Sequence, residues 1–181
     1  RQTSSPYTGP AVDCSYSATA TVSSPASCTV KTPQTGPNYT GGAAVACGLA
    51  RLDRVAVWLD KRVETVVSLI GSACAGGVFV PVNPILKAEQ AAYILQDCNV
   101  RLLVTTVDRW LSLAPLLAQC PDLRQVVVTG AVPEGAPEGG PRVQGFAEFM
   151  AGPVGRLHRV IDADMAAILY TSGSTGRPKG V

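Results

Sequence analysis

The sequence predicts an α/β protein built on a mostly parallel, doubly wound sheet with helices on both faces. Three observations indicate this fold: short continuous apolar runs typical of strands buried on both faces, amphipathic segments between them, and Gly- or Pro-rich breaks at the junctions. Alternation of strand and helix at this spacing implies right-handed crossovers, with ligand sites beyond the carboxyl ends of the strands. The 181 residues, 46% of them apolar, suit one domain or part of a larger one.

The first predicted strand is the continuous apolar run Val55–Leu59. A helix follows over residues 63–74, and Gly76-Gly77 provides its stop. Its apolar stripe, predicted to face the core, comprises Val63, Val66, Val67, Ile70 and Cys74. Residues 78–82 form the second strand, in which Pro81 indicates an edge position or an interrupted ladder because proline has no N–H to donate.

The second predicted helix spans residues 91–98, with Ala91, Ile94, Leu95 and Cys98 on its apolar face. The third strand is the run 102–104. Thr105, followed by Asp108 three positions later, resembles a capping box that opens a third helix. The apolar face of this helix comprises Trp110, Leu113, Ala114 and Leu117.

The fourth predicted strand is Gln125–Val128, followed by a loop rich in Gly, Pro and Glu over residues 130–141. A short helix is expected over 146–150, and Ala166–Tyr170 reads as the fifth strand. The segment after Tyr170 would then lie at the carboxyl end of a strand, where parallel sheets bind ligands.

Residues 1–42 differ in composition from the rest of the chain. More than half of them are Ser, Thr, Pro or Gly, and the first large aliphatic residue other than valine is Leu49. Such a segment cannot bury enough apolar surface to offset the entropy lost on ordering. We expect either a disordered tail or non-homologous sequence read out of frame, and place the start of the folded domain at residue 43, so that it spans 43–181.

Six cysteines occur, none with the C-x-x-C spacing of zinc or thioredoxin-type sites. They are Cys14, Cys28, Cys47, Cys74, Cys98 and Cys120. Disulfides are one interpretation, but Cys74 and Cys98 fall on predicted apolar helix faces, which favours free thiols in a reducing compartment, the cytoplasm. The single histidine, His158, is predicted to be a solvated surface residue, and no metal site is predicted.

Charge and hydropathy exclude two classes of partner. A formal net charge of +2 without a block of Lys or Arg argues against nucleic acid, because a duplex binder needs a concentrated basic surface. No run of 18 or more apolar residues occurs, so the sequence predicts no transmembrane segment.

The chemistry is concentrated in residues 171–180, Thr-Ser-Gly-Ser-Thr-Gly-Arg-Pro-Lys-Gly. The glycines allow close approach of a ligand, and successive N–H groups can hold an anion. Four hydroxyls and Lys179 add donors suited to phosphate. The spacing differs from a Walker loop because Gly180 follows Lys179, and a flexible Ser/Gly turn is the alternative. The order of the residues favours a polyphosphate-binding loop.

Residues 168–179 match at every position the AMP-binding signature of the adenylate-forming enzymes. This superfamily contains acyl-CoA synthetases, peptide-synthetase adenylation domains and luciferases. Residues 48–57 resemble the strand entry of the family, with Leu52 where glycine is usual, and residues 75–84 resemble its Val-Pro-Leu-Asn-Pro segment. The resemblance covers residues 43–181.

The resemblance implies that ATP, accompanied by Mg²⁺, activates a carboxylic acid, expected to be a fatty acid, to an acyl-adenylate that is then transferred to coenzyme A. In the family this loop grips the β- and γ-phosphates, which leave as pyrophosphate. The implied nucleotide-binding residues are Thr171, Ser172, Gly173, Ser174, Thr175, Gly176 and Lys179. Arg177 occupies a variable position and is expected to face solvent, and Asp162 and Asp164 are expected to be loop carboxylates rather than catalytic or metal-binding groups.

Two clues to the branch of the family disagree. Asn83-Pro84 resembles acyl-CoA ligases, whereas Ser174-Thr175 is the form common in peptide synthetases. The Asn-Pro-Ile-Leu spacing favours a bacterial acyl-CoA ligase, with the exosortase-associated group as one candidate. A peptide-synthetase adenylation domain and a non-catalytic nucleotide-binding module are the alternatives. Because the catalytic elements of the family would follow Val181, we expect an N-terminal fragment that is inactive alone. The sequence does not predict the oligomeric state.

Overall fold

The computed structural model describes residues 37–132, 139–171 and 178–181. These residues form a five-stranded parallel sheet, helices that cover it, and a separate two-stranded hairpin. In chain order the elements are α1 (Pro37–Ala46), β1 (Arg54–Trp58), α2 (Val63–Cys74), β2 (Val78–Pro81), α3 (Ala88–Asp97), β3 (Val100–Thr106), α4 (Val107–Leu113), a 3₁₀ helix (Ala114–Gln119), β4 (Gln125–Thr129), β5 (Arg142–Gly145), α5 (Phe146–Ala151), β6 (Tyr170–Thr171) and β7 (Lys179–Gly180). The predicted α/β class is confirmed.

The strand order of the sheet is β2-β1-β3-β4-β5, and every neighbouring pair is parallel. The chain goes from β1 outward to β2 and returns past β1 to β3, so the direction of winding reverses at β1. Because all five strands run the same way, their carboxyl ends lie at one edge. The residues that follow the strands are therefore gathered there.

Both faces of the sheet are covered by helices, as predicted for a doubly wound fold. Successive residues of β1 alternate between two apolar clusters, with Ala56 and Trp58 in one and Val55 and Val57 in the other. The first cluster contains side chains of α3 and α4, and the second contains side chains of α1 and α5. Burial on both faces explains why the central strands read as continuous apolar runs.

Helix α1 crosses the domain boundary that the composition predicts, so residues 37–42 belong to the packed structure. It packs closely on α2, since a Cβ atom added at Gly41 would lie 2.5 Å from the carbonyl oxygen of Gly71. Thr40 and Ala43 of the same helix are also buried. The composition did not predict this helix because it buries small residues through backbone approach. The remainder of the predicted tail, residues 1–36, lies outside the described residues.

Helix α2 lies where it was predicted, but the prediction that its whole apolar stripe faces the core is wrong. Val63, Val66 and Ile70 are 70%, 55% and 48% exposed. The buried positions include Ser68 and Gly71, whose small side chains allow α1 to come close. Packing by small residues therefore outweighs the burial of larger aliphatic side chains on this helix.

Two other predictions are wrong, and one strand was not predicted. Helix α4 is capped by Thr106, whose Oγ1 accepts the N–H of Arg109 at 3.4 Å, whereas Thr105 is buried in β3 and donates to the Trp58 carbonyl at 3.2 Å. Strand β5 was not predicted, because its sequence Arg-Val-Gln-Gly carries a single aliphatic side chain. The predicted strand 166–170 is reduced to a one-residue bridge at residue 167 and the start of β6.

The single histidine and the cysteines are also placed by the fold. His158 is partly buried, and its Nε2 lies 2.9 Å from the Leu49 carbonyl oxygen, so Nε2 carries a proton and the prediction of a solvated residue is wrong. In the described part of the chain, Cys47, Cys74, Cys98 and Cys120 are all free thiols. Cys98 is buried, but it directly follows the last residue of α3 instead of lying on the face of the helix. Cys14 and Cys28 lie outside the described residues.

None of the helices in the described ranges is long and apolar enough to cross a lipid bilayer.

We expect Gly41→Ala to lower the free energy of unfolding by about 1–3 kcal/mol, because the added methyl group would overlap the Gly71 carbonyl. This loss should outweigh the gain in helix propensity of about 1 kcal/mol. Urea unfolding followed by circular dichroism measures the change. The exposed Ala46, at the end of the same helix, provides the control Ala46→Ser, expected to change stability by about 0.5 kcal/mol or less. Equal stability of Gly41→Ala and the parent chain would contradict the packing of α1 on α2.

Burial raises the pKa of the Cys120 thiol from 9.0 to about 11. The unfolded chain therefore loses this proton at lower pH than the folded chain, and the free energy of unfolding should fall as the pH rises from 9 to 11. The slope contributed by this group reaches at most about 1.4 kcal/mol per pH unit. Urea unfolding across this pH range should show a shallower decline for Cys120→Ala. Parallel profiles for the two proteins would exclude a role for the thiol.

Candidate functional site

The hairpin formed by β6 and β7 brings together the two ends of the predicted phosphate loop. The strands are antiparallel, with Tyr170 opposite Gly180 and Thr171 opposite Lys179. Residues directly opposite each other in an antiparallel pair lie on one face, with their Cβ atoms about 5 Å apart. Thr171 and Lys179 are thus neighbours across the hairpin, with their side chains on the same face, and both residues are exposed.

The structure therefore places two of the seven predicted nucleotide-binding residues side by side. The other five, Ser172, Gly173, Ser174, Thr175 and Gly176, lie outside the described residues, as does Arg177. The pairing of the two chain segments continues on the side away from the loop, where Leu169 and Val181 exchange backbone hydrogen bonds of 2.8 and 2.9 Å.

The hairpin segment attaches to the outer edge of β2 at one residue. The Phe79 N–H donates to the Ala166 carbonyl, and the Ile168 N–H donates to the Phe79 carbonyl, both at 3.0 Å. The amides of Val78 and Val82 donate inward to the chain of β1, so the alternation of a strand turns Phe79 and Pro81 outward. Because Pro81 has no N–H, the outer ladder is interrupted there, as the sequence predicts.

Tyr170 makes a second contact between the hairpin and the rest of the fold, here with a helix. Its hydroxyl donates to Asp97 Oδ2 at 2.5 Å, at the last residue of α3. Its ring lies against Gly180, where an added Cβ atom would be 3.3 Å from Tyr170 Cζ. Burial, followed by the hydrogen bond to Asp97, raises the pKa of Tyr170, so the hydroxyl keeps its proton and acts as the donor.

A polar network lies at the carboxyl ends of β1 and β2. Arg109 donates to the carbonyls of Trp58 and Pro84 at 3.3 and 3.2 Å, and to both carboxylate oxygens of Asp60 at 3.1 and 3.2 Å. Its guanidinium carbon also lies 5.6 Å from the centroid of the Trp58 ring. Arg109 thereby ties together the chain segments that leave the two strands.

A cavity of about 350 Å³ opens beside this network, with Asp60, Lys61 and Asn83 among its lining residues. In the same segment between β1 and α2, Arg62 donates to the two carboxylate oxygens of Glu64, both at 2.9 Å. This hydrogen bonding lowers the pKa of Glu64. No motif in the sequence pointed to Asp60, Arg62 or Glu64, although their position shortly after β1 places them at the carboxyl edge of the sheet.

Asp162 and Asp164, the two acidic residues that precede the hairpin, were expected to be loop carboxylates. Asp164 forms an ion pair with Arg51 and accepts the Ile161 N–H at 3.1 Å, as expected of a loop carboxylate. Over residues 37–132, 139–171 and 178–181, no group of three or more His, Cys, Asp or Glu residues is arranged to hold a metal ion.

The model of the AMP-binding enzyme family matches residues 40–181, beginning inside α1. The chain is 36% identical over 149 residues to the 3-hydroxybenzoate--CoA/4-hydroxybenzoate--CoA ligase of Thauera aromatica, covering 80% of this chain and 27% of that protein. It is also 35% identical over 129 residues to tyrocidine synthase 3 of Brevibacillus parabrevis, covering 70% of this chain and 2% of the synthase.

The fold resembles that of the anthranilate CoA ligase AuaEII, solved in complex with anthranoyl-AMP. The TM-score is 0.68 at 28% sequence identity, and the match covers 80% of this chain and 27% of the ligase. The chain thus spans about a quarter of the length of the CoA ligases named here, and about a fiftieth of the peptide synthetase.

Proposed function

The chain belongs to the AMP-binding enzyme family, and we propose that its hairpin loop holds the β- and γ-phosphates of ATP while a carboxylic acid is activated. A carboxylate oxygen attacks the α-phosphorus of ATP, and the bond from this phosphorus to the bridging oxygen of the β-phosphate breaks. Pyrophosphate departs, and the product is an acyl-adenylate. The thiol of coenzyme A then attacks the acyl carbon, and AMP leaves. The observation that carries the proposal is the cross-strand pair of Thr171 and Lys179 at the two ends of the loop.

This pair suits a departing pyrophosphate. The side chains of Thr171 and Lys179 lie on one face of the hairpin and can both donate to the same phosphate group, and the charge of Lys179 would offset negative charge that builds up on the leaving group. We assign Ser172, Gly173, Ser174, Thr175 and Gly176 to the same role because their hydroxyl and N–H groups continue the set of donors between these two ends.

The proposed cofactors fit the donors that the chain presents. Mg²⁺ bound with ATP keeps several waters and is held mainly by phosphates and one or two carboxylates, so it does not need a cage of protein ligands. The hydroxyls and ammonium group of the loop complement the phosphates of the nucleotide. When bound, the metal supplies positive charge that neutralises the leaving pyrophosphate. Coenzyme A belongs to the proposal for the whole protein.

Within the family we propose the acyl-CoA ligase branch. The Asn83-Pro84 segment supports it, as does the 80% of this chain covered by the hydroxybenzoate–CoA ligase and by the anthranilate CoA ligase. The similarity to tyrocidine synthase 3 keeps a peptide-synthetase adenylation domain as the alternative. The names of these two ligases refer to aromatic acids, so a fatty acid substrate stays a prediction. The exosortase association and the cytoplasmic location also stay predictions.

We expect Lys179→Ala to weaken ATP binding by the 181-residue chain about tenfold or more, because one charge-assisted hydrogen bond contributes about 1.5–3 kcal/mol. Isothermal titration calorimetry with ATP, followed by displacement with pyrophosphate, measures the effect. The control is Lys87→Ala, which removes an exposed lysine preceding α3. Equal ATP affinities of Lys179→Ala, Lys87→Ala and the parent chain would count against the proposed site.

The 181 residues alone are expected to bind ATP without catalysing ATP–pyrophosphate exchange. They span about a quarter of the length of the matched CoA ligases, and family members close over the reacting groups to exclude water. The assay uses labelled pyrophosphate with hydroxybenzoates and fatty acids of several lengths, and an intact CoA ligase as the positive control. Exchange above the enzyme-free background would show that the chain is sufficient for activation.

A further inference from the structure

Tyr170 contacts both strands of the hairpin and the end of a helix. It lies in β6, its ring packs on Gly180 of β7, and its hydroxyl donates to Asp97 at the end of α3 at 2.5 Å. Thr171 directly follows Tyr170, and Lys179 directly precedes Gly180. A displacement of Tyr170 would therefore move both residues assigned to the phosphates.

The acceptor of this hydrogen bond lies at a well-anchored corner of the fold. Arg54, the first residue of β1, donates to the carbonyls of Cys98 and Asn99 at 2.6 and 3.0 Å, which fastens the end of α3 to the sheet. The Asn99 side chain in turn donates to Asp122 at 2.7 Å. Asp97 therefore offers a carboxylate on a backbone that is held from two sides.

The backbone hydrogen bonds that attach the hairpin to the sheet are few, so a side-chain contact can add to its attachment. The two hydrogen bonds to Phe79 join the segment to the sheet at a single residue, and Pro81 interrupts the ladder toward the carboxyl end. The side chains of Ile168 and Tyr170 also pack against the apolar cluster that contains residues of α3 and α4, but apolar packing has no preferred direction. The Tyr170–Asp97 hydrogen bond adds a directional contact to this packing, which fixes the orientation of the hairpin.

We propose that Tyr170 and Asp97 are positioning residues of the phosphate-binding hairpin, and that their hydrogen bond holds Thr171 and Lys179 in place for the phosphates of ATP. This inference rests on the proposed function of the loop. A carboxylate acceptor makes the hydrogen bond charge-assisted, so it is stronger than a neutral one. Donors fixed before binding lose less entropy when the nucleotide arrives.

The test uses four single variants of the 181-residue chain and the double variant that combines Tyr170→Phe with Asp97→Ala. Tyr170→Phe removes the hydroxyl and keeps the ring, Asp97→Ala removes the acceptor, and Asp97→Asn keeps an acceptor oxygen. The matched control is Tyr93→Phe, which removes the hydroxyl of a tyrosine on α3 that packs against the same apolar cluster. ATP affinity is measured by calorimetry, and backbone protection by amide hydrogen exchange.

Tyr170→Phe and Asp97→Ala should each weaken ATP binding about fivefold. The double variant should lose no more than either single one, because both remove the same hydrogen bond. Asp97→Asn should retain most of the affinity, and Tyr93→Phe all of it. Exchange should become faster at the amides of Leu169 and Val181 in the two disruptive variants, while the amides of β3 stay protected.

Three outcomes would overturn the inference. If Tyr170→Phe binds ATP like the parent chain while Lys179→Ala binds weakly, the positioning role falls and the proposed function stands. If the losses of the two single variants multiply in the double variant, the residues act separately. If the amides of β3 lose protection together with the hairpin, the hydrogen bond serves general stability. Unchanged ATP binding by Lys179→Ala would remove the proposed function itself, whatever the result for Tyr170.

Discussion

Pro81 limits how the outer edge of the parallel sheet can be used. Val78 at the start of β2 and Val82 directly after it donate their N–H groups toward the chain of β1, so Phe79 and Pro81 face outward. Proline cannot donate, and the chain that returns at residues 166–168 therefore pairs with Phe79 alone. The hairpin that carries the proposed phosphate loop is joined to the sheet backbone through this pair of hydrogen bonds.

This limited pairing has a consequence for binding. A loop that surrounds a polyphosphate with N–H and hydroxyl donors binds best when the donors are already fixed, because ordering them costs conformational entropy. The cross-strand pair of Thr171 and Lys179 fixes one end of the loop relative to the other. The contact of Tyr170 with Gly180 and Asp97 extends that order into the helical layer. Local pairing and side-chain packing thus compensate for a short ladder.

The sequence predicted the elements whose stability comes from burial on both faces. Strands β1, β3 and β4 were found as continuous runs of apolar residues, since helices cover both sides of the sheet. Strand β5 was missed because Arg142 and Gln144 interrupt its apolar pattern at the edge. The face of α2 was predicted wrongly because periodicity favours Val66 and Ile70 over Gly71, and hydrophobicity carries no information about how closely two helices approach.

The candidate site could be predicted only in part for a related reason. The order of residues 171–180 indicated a phosphate loop, but only the pairing of β6 with β7 shows that Thr171 and Lys179 are neighbours. Tyr170 gave no signal of its role, because its partner Asp97 lies in a distant segment of the chain.

Glycine contributed both to the wrong prediction for the α1–α2 packing and to the incomplete prediction of the hairpin. Composition interprets it as conformational freedom, yet Gly41 and Gly180 each occupy a position where a Cβ atom would collide with a neighbouring group, at 2.5 Å from the Gly71 carbonyl oxygen and 2.8 Å from Ile168 Cγ2. At both positions the missing side chain permits close packing, of α1 on α2 and of the Tyr170 ring on the hairpin. In a chain with 18 glycines, a Gly-rich segment is therefore weak evidence for disorder unless its contacts are also considered. The lack of a side chain that allows a glycine backbone to approach a phosphate also allows neighbouring groups to pack directly against that backbone.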